Sequence, residues 1–178
     1  MVDVRTFRAP EADDRLLEEI HALLLGAFPG DFSDEDWAHA LGGTYVVAFD
    51  PDGTVVAHAA VVPRALEVDG ASLTTGYMEA VAARVDRQGE GLGTLVMQQA
   101  AELLLGHFQL GGLCTGSQGF YERLGWERWQ GETFVRARSG LHRTADADDA
   151  LMVLRLPPTA TLDLGAPISC EWRTGDVW

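Results

Sequence analysis

The sequence predicts a mixed α/β domain: one mostly antiparallel sheet with helices on both faces. Three observations lead there. First, segments with strand and helix periodicity follow the order strand, two helices, several strands, then strand, helix, strand, helix and further strands. Second, Pro51-Asp52-Gly53 and Asp69-Gly70 each separate two strand-like runs, and turns that short can only join antiparallel neighbours. Third, 178 residues that are 47% hydrophobic can bury a sizeable core. No repeat, low-complexity tract or linker interrupts them, so residues 1–178 are expected to form a single domain.

Each element has a local reason. Residues 2–8 alternate as a first strand. Asp13 and Asp14 can start a helix whose apolar face is Leu16, Leu17, Ile20, Leu23 and Leu24. Ser33 followed by Asp36 reads as a shortened capping box, with Trp37 and Leu41 expected on the buried side of a second helix that Gly42-Gly43 ends. Residues 44–50 and 54–62 form one expected hairpin, and ALEV with ASLTT a second. Gly76 to Val85 is the expected central strand, apolar apart from Glu79. Leu92, Leu95, Val96, Ala100, Leu103 and Leu104 then make one helical stripe. Residues 108–114 read as a buried strand, and Ser117 to Leu124 as a helix closed by Gly125. Strands are expected at 133–138, 151–156 and 168–173, and the polar stretch 138–149 as a loop.

Bulk properties exclude several functions. Twenty-seven acids against 13 bases give a net charge of −14, which repels nucleic acid and favours a cationic partner. Every base is an arginine. No apolar run approaches the roughly 20 residues of a membrane span, and the N-terminus carries no signal-peptide core. Cys114 and Cys170 are far apart, without CxxC or clustered histidines, so a reduced, cytoplasmic protein with no metal is expected.

The chemistry centres on DRQGEGLGT. A Gln88-x-x-Gly91-x-Gly93 turn between a strand and a helix aims backbone N–H groups at an anion, and the helix peptides add partial positive charge there. The turn lacks the Lys-Ser/Thr of a P-loop, and no acid sits suitably for a dinucleotide ribose. A carboxylate in an apolar strand needs a partner or a solvent-lined cavity, so Glu79 is either one half of an ion pair or a proton acceptor. Tyr121 is either core or a proton donor.

Gln88, Gly91 and Gly93, in this strand–helix setting, resemble the GNAT acetyltransferase motif. The blocks GAFPGDFSDEDW, GYMEAVA, QLGGL, FYERLGW and CEWRTGDVW, spread from residue 26 to residue 178, resemble aminoglycoside 2′-N-acetyltransferases. The resemblance implies a GNAT-like sheet in which two parallel strands, here 76–85 and 108–114, splay around acetyl-CoA. It implies a cofactor site of Val81, Ala82, Gln88, Gly89, Gly91, Leu92, Gly93 and Thr94. It implies Glu79 as the group drawing a proton from the substrate ammonium, Tyr121 as proton donor to the departing thiolate, and a main-chain N–H near Val81 on the thioester oxygen. For a cationic aminoglycoside it points to Asp31, Asp36, Glu79, Asp149, Asp176 and the terminal carboxylate of Trp178, with main-chain groups at Cys114. Glu171 is expected to point elsewhere, and no histidine receives a role. A homodimer is common among resembling enzymes. Acetylation of another cationic amine, or sequestration of a cation without turnover, are the alternatives.

Overall fold

The computed structural model describes all residues 1–178. The chain divides into two compact units, the first made of Met1–Val62 with Met78–Leu103 and the second of Pro63–Tyr77 with Leu104–Trp178. Strands β3 (Val55–Val68) and β4 (Ala71–Ala83) contribute residues to both, as does helix α3 (Leu92–His107).

In the first unit, β1 (Asp3–Arg8) pairs antiparallel with β2 (Thr44–Phe49), and β2 pairs antiparallel with β3 from Thr44↔Val61 to Phe49↔Val55. Helix α1 (Asp14–Ala27) starts where the Asp13 carboxylate accepts the Leu16 N–H at 2.8 Å. Helix α2 (Asp34–Leu41) carries both bonds of the expected capping box. Asp36 N–H donates to Ser33 Oγ at 3.1 Å, and Ser33 N–H donates to Asp36 Oδ2 at 2.9 Å. Ile20, Leu24, Tyr45, Val47 and Ala60 are central to this unit's core.

The second unit contains the remainder: β5 (Leu110–Cys114), α4 (Gln118–Glu122), β6 (Glu127–Arg128), β7 (Thr133–Ala137), β8 (Gly140–Arg143), β9 (Leu151–Arg155) and β10 (Ile168–Glu171). Its sheet runs β6-β9-β5-β4-β3-β10-β7-β8, antiparallel apart from the parallel pairs β4–β5 and β7–β10. The β4–β5 ladder covers only Thr75↔Leu110 to Tyr77↔Gly112, while β5 continues to Cys114 bonded to β9 on its other side. Close approach explains Gly76 in that ladder, since a Cβ there would lie 2.2 Å from Leu104 Cδ2.

Five expectations need correction. Both hairpins are present but share the long strand β3, and the expected central strand is the second half of β4, because Pro63 and Gly76 lie inside long strands instead of ending short ones. The stretch 138–149 is not all loop; it contains β8 and a short 3-10 turn. Strand β4 ends at Ala83, with Val85 exposed in a 3-10 turn. Leu41 and Leu95 are exposed; Ala40 takes the buried place on α2, and α3 buries Leu92, Val96, Met97, Ala100 and Leu104. Helix α4 spans five residues and ends before Leu124.

Candidate functional site

The glycine turn lies in the first unit. Gly89 and Gly91 have φ of 86° and 83°, and a Cβ at either would meet nothing within 4 Å. The requirement is therefore torsional: only glycine enters that region without strain. Helix α3 starts directly after, with Leu95 N–H donating to Gly91 O at 3.0 Å. The N–H groups of Leu92, Gly93 and Thr94 belong to its first turn, which has no intrahelical acceptor for them. Arg87 braces the turn, its Nε donating to Glu90 at 2.8 Å and its NH1 bonding Asp50.

Upstream on β4 lie Glu79, Val81 and Ala82. Glu79 is half-buried between buried Met78 and half-buried Ala80, so water can reach its carboxylate. Ala80 has φ 52° although it lies inside a strand; the other non-glycine residue with positive φ, Asp69, is in a hairpin turn. The Ala80 carbonyl accepts a 2.8 Å bond from Nδ1 of His58, a fully buried residue of β3. His58 was assigned nothing from sequence, yet a lone histidine in the apolar run Val55–Val62 was the available signal.

Asp31 is exposed after Gly30, whose φ is 81°, and its N–H donates to Phe28 O at 3.1 Å. Asp36 is half-buried, and one of its oxygens is taken by the Ser33 amide and hydroxyl.

The second unit holds the other candidates. Tyr121 is buried on α4, with Phe120 edge-on at 4.9 Å and Trp126 at 6.1 Å. Burial pushes its phenol up to about 12, so the group is a hydroxyl donor at neutral pH. Cys114 is half-buried at the end of β5. Asp149 is exposed, its carbonyl accepting from Gln118 Nε2 at 2.8 Å. Its neighbour Asp148 is structural, held to about 2 by Arg143 and further lowered by Thr133.

The C-terminal segment is anchored by groups that sequence reasoning missed. Trp178 is buried, and its indole Nε1 donates to Thr144 Oγ1 at 2.8 Å. Arg173 donates to Asp176 O at 2.7 Å and to Trp178 O at 3.3 Å. Arg64 donates to Val177 O at 2.8 Å and pairs with Glu171 at 3.1 Å. Burial works against the Arg64 charge, but the Glu171 carboxylate more than offsets it and holds the guanidinium above its ordinary range. Glu171 therefore serves the anchor. Asp176 keeps an exposed carboxylate, one oxygen accepting from Trp178 N–H at 3.2 Å.

The first unit thus assembles a helix start whose first amides have no intrahelical acceptor and a strand with a half-buried carboxylate and a positive-φ alanine. The second holds a neutral buried phenol and a pinned, acid-bearing tail. No group of three or more His, Cys, Asp or Glu residues could hold a metal ion.

Comparison with known proteins fits these features. Residues 8–129 match the acetyltransferase (GNAT) domain family. An aminoglycoside 2′-N-acetyltransferase from Mycolicibacterium fortuitum is 43% identical over 178 residues, 98% of this chain and 91% of that protein. Among solved structures, a GNAT family N-acetyltransferase from Escherichia coli in complex with CoA aligns with a TM-score of 0.69 at 21% identity, covering 98% of this chain and 93% of that one. A GNAT family acetyltransferase from Brucella melitensis in complex with acetyl-CoA aligns with a TM-score of 0.57 at 24% identity, covering 71% of this chain and 83% of that one. With a distinctive glycine turn, the sheet of that fold and a relative matched along nearly its whole length, the chain belongs to the GNAT acetyltransferase family.

Proposed function

We propose that residues 1–178 act as one catalytic domain that moves the acetyl group of acetyl-CoA to the 2′-amine of an aminoglycoside. The observation that carries this is the 43% identity to an aminoglycoside 2′-N-acetyltransferase over 98% of the chain.

In this reading the backbone N–H groups of Gln88, Gly89, Gly91, Leu92, Gly93 and Thr94 receive the pyrophosphate of acetyl-CoA. Val81 and Ala82 offer main-chain groups to its pantetheine arm. Glu79, reached by water, draws a proton from the substrate ammonium, because a protonated amine has no lone pair for attack. The freed amine attacks the thioester carbon, and the Val81 N–H takes the charge that develops on the carbonyl oxygen. When the C–S bond breaks, the Tyr121 hydroxyl donates to the departing sulfur. Asp31, Asp36, Asp149, Asp176 and the Trp178 carboxylate surround a polycationic sugar with negative charge, assisted by main-chain polar groups at Cys114. Arg173, donating to one oxygen of the Trp178 carboxylate, offsets part of the last contribution, so the exposed aspartates carry more of it. A reduced cytoplasm suits two cysteines that form no disulfide, and a homodimer is the oligomer we propose.

The test is acetyl-CoA turnover across an aminoglycoside panel, with the acetyl position on each product assigned. Turnover restricted to drugs bearing a 2′-amine is expected. Equal turnover of a 2′-hydroxyl drug such as kanamycin A refutes the regiochemistry, and a preference of orders of magnitude for a peptide or polyamine amine refutes the substrate class.

A further inference from the structure

We infer that His58 is a positioning residue for acetyl transfer: by holding the Ala80 carbonyl toward the core of the first unit, it turns the Val81 amide N–H away from that core, where the thioester oxygen can receive it. The inference rests on the acetyl-CoA reaction proposed above and identifies what sets the direction of its oxyanion donor.

The argument begins with the backbone. In a strand, an alanine with φ 52° is strained, so something must hold it there. The peptide that follows Ala80 is trans and planar, so its C=O and the Val81 N–H point in opposite directions. Fixing one fixes the other. The 2.8 Å bond from His58 Nδ1 fixes the carbonyl.

The identity of the holding residue is informative. His58 is fully buried, flanked by buried Ala57 and Ala59, with the Tyr45 ring edge-on at 4.6 Å. An imidazole there loses hydration that a leucine would not, so packing alone does not explain it. A carbonyl can only accept, so Nδ1 carries the proton and Nε2 is bare. No protein group bonds Nε2, so Nδ1 alone holds the ring by a hydrogen bond. The single hydrogen bond of the His58 side chain goes to the carbonyl of strained Ala80, in the peptide that leads to Val81. One hydrogen bond thus joins a buried donor to a strained residue and to the peptide whose other end is the Val81 amide, all within the first unit.

Side-chain geometry supplies the test. Asparagine presents an N–H near the position of Nδ1, whereas glutamine presents one near Nε2. His58→Leu and His58→Gln are expected to lower kcat about 10- to 100-fold with KM for both substrates within about twofold, and His58→Asn to recover most of it. Amine-free hydrolysis of acetyl-CoA is expected to fall by the same factor in the same order. Because that readout needs no acceptor, a wild type inactive on aminoglycosides refutes the substrate reading and still leaves the His58 comparison decisive. Unchanged kcat in folded His58→Leu overturns the inference. Should the variants fail to fold, nitrogen NMR of the wild-type imidazole decides, with a proton on Nδ1 and a bare Nε2 expected. A proton on Nε2 overturns it, as does a Val81 amide resonance that responds equally to CoA and acetyl-CoA.

Discussion

At Tyr121, burial among Phe120 and Trp126 leaves a phenol pushed up to about 12, while the leaving thiolate has a reference value of about 8.5. Full proton transfer from such a phenol climbs by about 5 kcal/mol, so the role proposed for it takes the form of a hydrogen bond to sulfur rather than a released proton. Tyr121→Phe should therefore lower kcat about 10- to 100-fold with drug KM nearly unchanged, and wild-type kcat should show no basic limb from this group below about pH 10. Steady-state rates across pH check both. At His58 burial disfavours charge in the same way, but here the charged form is the protonated one, so the imidazole is pushed down to about 4 from an ordinary 6.5 despite the bond to Ala80. A depressed base leaves the unfolded chain holding more protons between those values, so stability rises with pH across that window. Fully buried, the group should cost the fold about 3 kcal/mol as pH falls from 6.5 to 4. Denaturant melts at several pH values should show this slope in the wild type and lose most of it in His58→Asn. Glu79 and Asp36 were legible as residues because an acid in an apolar strand and a Ser-x-x-Asp pair are both sequence patterns. His58 and Arg64 were not, because the partner that gives each its meaning is 22 residues away in one case and 107 in the other.

Among the elements, helix starts were read best and strand lengths worst, for a physical reason. Caps are local: Asp13 and Ser33 act within three residues. Strand continuity depends on neighbours. Pro63 is tolerated inside β3 because pairing with β2 ends at Val61 and pairing with β10 begins at Glu67, leaving no ladder donor for proline to remove on that side. Strand β8 escaped notice because all four of its residues are exposed, so no buried–exposed alternation marks it. It is secured at its end instead, where Arg143 bonds Asp148 and donates to the Thr133 carbonyl at 3.1 Å. The C-terminal tail is held in the same non-local way, and that gives it a testable dependence on Arg64. This guanidinium is 2% exposed and holds the Val177 carbonyl, while its partner Glu171 remains 42% exposed. Because Glu171 can be resolvated, Arg64→Leu should cost roughly 1–3 kcal/mol, below the range for a fully buried pair. Loosening residues 176–178 should raise drug KM several-fold and leave KM for acetyl-CoA unchanged. An unaltered drug KM in folded Arg64→Leu would mean that the tail does not contact the substrate.

At the scale of the whole molecule, the net charge of −14 acts on the two substrates in opposite directions. A polycationic aminoglycoside is drawn toward such a surface, whereas acetyl-CoA, itself an anion, must approach against the field, and in the proposed site its pyrophosphate relies on the local donors of the glycine turn. Salt separates these effects because the screening length falls from about 30 Å at 0.01 M to about 8 Å at 0.15 M. Long-range attraction and repulsion both fade over that interval, while contacts inside a partly dehydrated site persist. Raising ionic strength should therefore lower kcat/KM for the drug several-fold and leave kcat/KM for acetyl-CoA level or higher. A general loss of activity in salt would lower both together, so the opposed pair of slopes is the signature. Removing one exposed acid should flatten only the drug slope: Asp176→Asn is the informative choice, since its carboxylate is exposed and an asparagine oxygen can still accept the Trp178 N–H. Parallel salt series with each substrate varied in turn, on wild type and Asp176→Asn, measure all four slopes. Drug kinetics indifferent to salt would show that recognition rests on short-range contacts alone and that the excess of 14 acids serves solubility.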